Sequence, residues 1–457
     1  MFWRRPHKSA KQAPVTLPPA DTALAVKFVA EAGKQMLEAS PSVSEVLDRL
    51  RRFLPAIGLE GCMIDANLST LTLSYWGPGM PLPVTMMQDV RAPEPRLERM
   101  AETVSLLQRV ERREIDLAAA FEQLQALARA PSMRRRYART AILVSVVGWV
   151  LFLNGLDIVS VLVALLATAL TLPVNSVVSR LRLPLISGTF VAAIILAAVP
   201  NLLAAAGLSF SVAAAVVGGL FIYLPGRAFV TAVIDGLGNA PVSAITRAFE
   251  ALVTAGALAL GVVVGGEIGA GLGVGLQADV TSAPLWISVL AAGVGVLGIA
   301  VAWGMPRTRV IPTVAIAAIG WLIVALPARE EGGAGWVAYL LAAMFVGFAG
   351  VIGASLQGGT ASVYSGVAIL PLVPGFSIYQ GMLALTLGTG DAADPLKNAA
   401  VISLAIAGGV AVGLALGRNA FSLARWLGSH TRSAGSDREA VTPTEAADSS
   451  GGAGPPG

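Results

Sequence analysis

The stretch from residue 141 to 174, AILVSVVGWVLFLNGLDIVSVLVALLATALTLPV, contains a single charged side chain, that of Asp157. A helix that is apolar on all its faces suits the interior of a large protein or the hydrocarbon core of a bilayer. The stretch divides into two segments, 141–154 and 157–174. The sequence therefore predicts membrane-spanning helices from Ala141 onward.

The charges on either side of this stretch are distributed unevenly. Of the 457 residues, 55% are hydrophobic and only 13% are charged, whereas an average soluble domain carries about a quarter of charged residues. Residues 141–427 contain only nine of the 28 acidic residues. This distribution predicts a soluble head joined to a membrane body.

Several classes of site are excluded by composition. Cys62 is the only cysteine, so an intrachain disulfide cannot form. The two histidines, His7 and His430, lie in polar tails, and there is no Walker sequence. We therefore expect no cofactor, no metal, no catalytic residue, no nucleic-acid partner and no direct use of ATP. The N-terminus lacks an apolar segment of signal-peptide length, so we expect no cleaved signal peptide.

The head is predicted to be a small α/β domain at residues 21–132, after a disordered segment at 1–20. Ser42-Val-Ser-Glu45 matches a capping box and opens a helix. Residues 62–66 and 70–76 are predicted strands, since Leu71, Leu73 and Tyr75 alternate with polar residues. Further helices are predicted at 96–110 and 117–129, the second with Asp116 as its N-cap.

The body is predicted to contain about ten transmembrane helices in two sets of five. The first repeat occupies 133–270 and the second 284–428, followed by a disordered tail at 429–457. The predicted spans are 141–154, 157–174, 185–200, 208–224 and 246–266, then 285–303, 310–327, 336–353, 360–373 and 397–417.

Arginine placement predicts the orientation of these spans. With the head inside, the outer loops carry Arg329 and Lys397 only. The inner loops carry twelve arginines, as the positive-inside rule requires: Arg134, Arg135, Arg136, Arg139, Arg180, Arg182, Arg227, Arg247, Arg307, Arg309, Arg418 and Arg425. Both termini are therefore expected in the cytoplasm of a multi-pass inner-membrane protein.

An internal repeat supports the division into halves. Leu224-Pro225-Gly226 and Val373-Pro374-Gly375 follow the fourth and ninth predicted spans, and each is expected to open a polar loop of about twenty residues. Each loop leads into a glycine-striped helix, with stripes at Gly261/Gly265/Gly269 and Gly409/Gly413/Gly417. Because five spans is an odd number, the second half is predicted to be inverted, an arrangement common in transporters.

The Pro-Gly pairs and the charges beside them form the candidate site. Non-helical backbone survives at membrane depth only when it is buried or lines a cavity, and paired interruptions point to a transport site. The predicted solute- and ion-binding residues are Asp235, Arg247, Glu250, Tyr379, Pro225, Gly226, Pro374 and Gly375. The alternative, that these charges are helix ends facing lipid headgroups, stays open at this point.

Several of these residues fall into longer motifs. The head carries Ala32-Gly-Lys-Gln-Met-Leu-Glu-Ala-Ser40 and Arg113-Glu-Ile-Asp-Leu-Ala-Ala-Ala-Phe-Glu-Gln-Leu124. The body carries Leu224-Pro-Gly226 with Asp235 and Arg247-Ala-Phe-Glu250, then Val373-Pro-Gly-Phe-Ser-Ile-Tyr379. Together they resemble the bacterial threonine/serine exporter family over residues 21–428. Arg227, Phe229 and Asn239 depart from the family's usual residues.

The resemblance implies export of threonine and serine, driven by the proton motive force. Arg247 would hold the substrate carboxylate, Asp235 or Glu250 would accept the ammonium group or carry the proton, and Tyr379 would meet the substrate hydroxyl. The expected partners are a small-molecule substrate and the lipid bilayer, with homo-oligomerisation left open. A small dicarboxylate exporter is the alternative transporter, and a membrane-anchored hydrolase or a sensor is the alternative of another class.

The arginine asymmetry makes a testable prediction of topology. Reporter fusions at Pro131 and at Ser429 should both report a cytoplasmic location, because an even number of spans returns the chain to the side of the head. An external reporter at Ser429 would require an odd number of spans and would rule out two sets of five.

Overall fold

The computed structural model describes residues 19–39, 42–78, 80–90, 96–130, 135–181, 183–271, 283–327, 335–357, 360–387 and 392–439. Within these ranges the chain forms sixteen α-helices and one three-stranded sheet. The prediction of a mostly helical protein with a small strand-containing N-terminal region is confirmed. Of the segments predicted to be disordered, 1–20 and 429–457, residues 1–18 and 440–457 lie outside the described ranges. Residues 19–20 and 429–439 belong to helices, so the prediction is wrong for them.

The head contains four helices and three strands. They are α1 (Pro19–Ala39), α2 (Val43–Phe53), β1 (Met63–Ala66), β2 (Thr70–Tyr75), β3 (Val84–Asp89), α3 (Leu97–Glu111) and α4 (Leu117–Arg129). The strands pair antiparallel in the order β1-β2-β3, with Leu73 opposite both Ile64 and Met86. The third strand was not predicted, because its side chains are at most half-buried and its apolar alternation is correspondingly weak.

The apolar core of the head belongs to one cluster with buried side chains of the body. Leu71, Leu73 and Tyr75 of β2 are buried, as their alternation predicts, and they pack with Phe28 of α1 and Leu107 of α3. The start of α2 is also as predicted, since the Ser42 hydroxyl accepts a hydrogen bond from Glu45 N at 3.3 Å. The predicted cap at Asp116 is wrong in one respect: the residue occupies the N-cap position of α4 but makes no side-chain capping bond.

Twelve helices form the body within the described ranges. In the first half they are α5 (Arg135–Asn154), α6 (Ile158–Arg180), α7 (Leu185–Ala205), α8 (Val212–Leu220), α9 (Gly226–Leu237) and α10 (Pro241–Ala270). In the second half they are α11 (Leu285–Ala302), α12 (Arg307–Ala325), α13 (Trp336–Gln357), α14 (Ala361–Ala368), α15 (Gly375–Leu387) and α16 (Ala393–Glu439).

Seven of the described helices are long and apolar enough to cross a membrane, namely α5, α7, α10, α11, α12, α13 and α16. The bent pair α14–α15 would make an eighth, and α6 contributes the shorter apolar segment Ile158–Val174. The count of ten crossings and the inverted arrangement stay predictions.

Two predicted loops are wrong. The residues after each Pro-Gly pair form helices, α9 and α15, rather than polar loops of about twenty residues. Pro and Gly interrupt the helix, but proline's fixed φ and missing N–H also suit the start of a new one. Two helices also extend beyond their predicted spans: α10 begins at Pro241, and α16 continues to Glu439, past the predicted end of the body at residue 428.

The glycine stripes pack helices against each other in corresponding positions of the two halves. Gly261 and Gly265 of α10 lie against the backbone of α7, where a Cβ on Gly265 would be 2.5 Å from Ile194 O. Gly409 and Gly413 of α16 lie in the same way against α13. Such contacts bring helix axes close, and they replace the hydrophobic driving force that is absent between helices in lipid.

The stripe on α16 offers a matched test of this packing. A Cβ on Gly413 would collide with the Met344 carbonyl oxygen, whereas a Cβ on Gly408 would meet nothing within 4 Å. Gly413→Ala should lower the stability of the purified protein by about 1–3 kcal/mol through overpacking. Gly408→Ala should leave stability unchanged or raise it by up to about 1 kcal/mol through helix propensity. Thermal unfolding in detergent would measure both, and equal effects would show that the stripe does not set the helix contact.

Candidate functional site

The two Pro-Gly pairs break helices inside the body. Pro225 is buried and immediately precedes α9. In the second half, a 3-10 turn at Leu370–Leu372 and the extended residue Val373 come before Pro374 and α15. The α14–α15 pair bends there by 49°. Because proline cannot donate the backbone hydrogen bond of a continuous helix, each pair leaves a helix end at this level of the body.

The two breaks lie against each other. A Cβ on Gly375 would collide with Leu224 Cδ1 and would lie 3.5 Å from the ring of Phe221. Phe221 in turn stacks on Trp149 of α5, with ring centroids 4.1 Å apart. Interruptions from the two halves of the sequence therefore meet, and α9 and α15 both begin there with the positive ends of their helix dipoles.

Asp235, near the end of α9, is fully buried and is held by groups from two parts of the chain. Its Oδ2 accepts a hydrogen bond from Arg247 Nε of α10 at 3.1 Å, and the Arg247 side chain is itself only 7% exposed. Its Oδ1 accepts from Ser42 Oγ at 2.8 Å, Ser44 Oγ at 3.2 Å and Ser44 N at 3.2 Å, all from the head. One carboxylate thus joins the first half of the body to the N-terminal end of α2.

A second contact joins the head to the other half. Glu45 Oε1 accepts a long hydrogen bond, 3.5 Å, from Ser362 N in the first turn of α14. In a capping box this carboxylate would turn back to its own helix, but here it lies against the N-terminal end of another. The N-terminal end of α2 therefore contacts both α9 and α14.

A glycine permits this close fit. A Cβ on Gly238, which caps α9, would lie 2.5 Å from both side-chain atoms of Ser44. Any larger residue at this position would push the head away from Asp235.

A cavity of about 180 Å³ lies beside these contacts. Its walls come from α2, α9, α14 and α16, and they combine aliphatic side chains with hydroxyls and charges. The polar groups are Ser42, Ser44, Glu45, Asp48, Thr231, Ser362, Ser365 and Arg418. A space of this size holds several waters, and hence a small polar solute.

The remaining predicted residues lie elsewhere. Glu250 follows Arg247 by one helical turn, but it is exposed. Tyr379 is buried and lines a separate apolar pocket of about 30 Å³, together with Leu220 of α8 and Leu258 of α10. The structure therefore brings together Asp235 with Arg247, and the Pro225–Gly226 break with the Pro374–Gly375 break, but it does not place all eight residues around one cavity.

Sequence reasoning missed the contributions of Ser42, Ser44 and Glu45 to this site. Their pattern indicated the start of a helix, and Ser42 does cap α2. In addition, Ser42 donates a hydrogen bond to Asp235, and Glu45 accepts one from Ser362 N of α14. Arg418 was assigned to topology alone. Within the described ranges, no three His, Cys, Asp or Glu side chains lie together in a way that could hold a metal ion.

Comparisons with known proteins show which family the chain resembles in sequence. The family described as "Putative threonine/serine exporter" matches residues 27–269, and the one described as "Threonine/Serine exporter, ThrE" matches residues 288–419. No solved structure matches the chain.

Two curated proteins are similar over most of their length. A "Probable threonine/serine exporter" of Mycobacterium tuberculosis is 25% identical over 395 residues, which cover 83% of this chain and 73% of that protein. A "Threonine/serine exporter" of Corynebacterium glutamicum is 26% identical over 409 residues, which cover 86% of this chain and 81% of that protein. With a family match across the head and first half, and a second across the other half, this chain belongs to the threonine/serine exporter family.

Proposed function

We propose that this protein is a secondary transporter that exports threonine and serine, driven by the proton motive force. The observation that carries the proposal is that two helix breaks meet, and that α9, which begins at one of them, carries the buried Asp235–Arg247 pair near its other end. Broken helices supply unpaired backbone groups and dipole ends, and a buried ion pair supplies one group for each charge of an amino acid. The names of the two relatives agree with this substrate class.

The proposed architecture has ten crossings in two inverted halves, with both termini in the cytoplasm of the inner membrane. In this scheme α8–α9 and α14–α15 are each one broken span, and α6 is a full one. The matching packing of α10 on α7 and of α16 on α13 supports it. In an inverted repeat, the broken helices of the two halves are expected to meet at the centre, as these two breaks do.

The proposed chemistry assigns one charge of the substrate to each member of the pair. The guanidinium of Arg247 engages the substrate carboxylate through two donors, and Asp235 receives the ammonium group or the coupling proton. In the present conformation the two side chains satisfy each other. Substrate binding therefore requires that the pair separate, which links binding to a rearrangement of α9 against α10.

Glu250 and Tyr379 have more distant roles in this scheme. Glu250 is an exposed carboxylate one turn from Arg247 and stays a candidate carrier of the proton. Tyr379 lies four residues beyond the second break, so a movement at that break would redirect its hydroxyl towards the substrate.

The charges of the described cavity favour an amino acid over the alternative dicarboxylate. Its walls carry two carboxylates, Glu45 and Asp48, and one guanidinium, Arg418. A dianion would be repelled by the carboxylates, whereas a zwitterion finds both kinds of partner.

The ion pair can be tested with single and double substitutions. Asp235→Asn and Arg247→Gln should each abolish efflux and lower the amount of folded protein, because breaking a buried pair costs about 3–5 kcal/mol. The double variant removes both charges, so its protein level and thermal stability should return towards wild type while efflux stays absent. Wild-type efflux from the double variant would show that the pair is structural only.

Two further substitutions complete that series. Arg180→Gln, at the exposed end of α6, is a matched control that should leave efflux unchanged. Glu250→Gln should insert normally and lose proton-coupled efflux if Glu250 carries the proton; unchanged coupling would assign that role to Asp235.

Substrate and driving force can be tested in one assay. Vesicles containing the full chain are loaded with labelled threonine, serine or a four-carbon dicarboxylate, and efflux is followed with an imposed proton gradient. Threonine and serine should leave at a rate that a protonophore abolishes, whereas the dicarboxylate should be retained. Dicarboxylate efflux without amino-acid efflux would favour the alternative, and protonophore-insensitive efflux would exclude proton coupling.

A further inference from the structure

The cavity beneath the head has an outer and an inner part. Asp48 of α2 and Arg418 of α16 are exposed and mark its mouth, whereas Ile369 and Val410 in its wall are almost fully buried. Ile369 immediately precedes the 3-10 turn of the second break. The cavity therefore extends from the surface beside the head towards the meeting point of the two breaks.

Opposite charges line this cavity and come from different units. The carboxylates of Glu45 and Asp48 belong to the head, and the guanidinium of Arg418 belongs to the last helix of the body. The pKa of Arg52, on the same head helix, is lowered by partial burial and then by the positive charge of Arg418. The electrostatic field of Arg418 thus extends to the surface of the head.

Hydroxyl groups line the interior between these charges. Ser362 and Ser365 of α14 and Thr231 of α9 contribute to the wall. Ser365 donates to Ala361 O of its own helix, so its oxygen keeps acceptor capacity. A cation, two carboxylates and several hydroxyls around a small space match the groups of a hydroxylated α-amino acid.

We propose that this cavity is an entry site for the transported amino acid on the head side, and that the head supplies half of it. Arg418 binds the α-carboxylate, Glu45 binds the ammonium group with Asp48 at the mouth, and Ser362 and Ser365 receive the side-chain hydroxyl. The wall of this site shares Ser42 and Ser44 with the surroundings of Asp235, but it includes neither Asp235 nor Arg247. The inference rests on the proposed export of threonine and serine, and it makes the head part of substrate recognition.

The test uses the full chain in vesicles oriented with the head outward, where uptake of labelled threonine corresponds to export. Arg418→Gln and Glu45→Gln should each raise the KM for threonine about tenfold or more, the usual effect of losing a charge-assisted hydrogen bond. Vmax should stay within about twofold. Glu60→Gln in the head and Arg180→Gln at the end of α6, both exposed and outside the cavity, are the matched controls and should keep wild-type values.

Substrate analogues separate recognition from a structural role. Inhibition by 1-amino-2-propanol, which lacks the carboxylate, should be unaffected by Arg418→Gln, because that variant removes only the carboxylate contact. Inhibition by 2,3-dihydroxybutyrate, which lacks the ammonium group, should likewise be unaffected by Glu45→Gln. A variant that merely loosens the head would weaken threonine and both analogues equally, and this result would overturn the proposal.

Two other outcomes are decisive. If wild type transports threonine and both variants keep KM within about twofold of it, the entry site is wrong while the proposed function stands. If the wild type transports neither threonine nor serine, both proposals fail together.

Discussion

The arrangement of head and body depends on the compensation of one buried carboxylate. Asp235 has no exposed surface, and an ionised carboxylate cannot remain in such a place without a cation and hydrogen-bond donors. Arg247 provides the cation from α10, and Ser42 and Ser44 provide the donors from the head. Moving α9, α10 or the head away from the others would leave this charge uncompensated, so the three elements are coupled.

Close helix packing positions that carboxylate and the two breaks. Glycines allow α10 to approach α7, α16 to approach α13, and α5 to approach α11, where Gly298 meets the backbone of Ser145. These closely packed pairs consist of long helices, whereas α8–α9 and α14–α15 are interrupted at Pro225 and Pro374. A combination of packed helices and interrupted ones suits a transporter, because discrete movements at the interruptions need not disturb the packed pairs.

The head contacts both halves of the body directly. The N-terminal end of α2 contacts Asp235 in the first half and Ser362 in the second, and Leu97 N of α3 donates to Trp303 O at the end of α11 at 3.0 Å. A domain that bridges both halves at the proposed solute path is placed to sense or limit their relative movement. Any change in the angle between the halves would therefore alter the contacts of the head.

The sequence by itself determined the membrane class, the strand-containing N-terminal region and the family resemblance, whereas the soluble head and the division into two halves stay predictions. These follow from local properties: apolar length, the strand alternation of Leu71 and Leu73, the Ser42 cap, and the glycine and Pro-Gly spacings. The sequence also indicated Asp235 and Arg247 as partners in function, since buried charges near helix breaks are costly and are retained for use. Only the tertiary structure decided that the residues after each Pro-Gly pair are helical, that Glu250 is exposed and Tyr379 lines a separate pocket, and that Ser42 bonds Asp235 across 193 positions of sequence. The physical reason is that such contacts depend on how rigid helices pack, which a local pattern of residues does not encode.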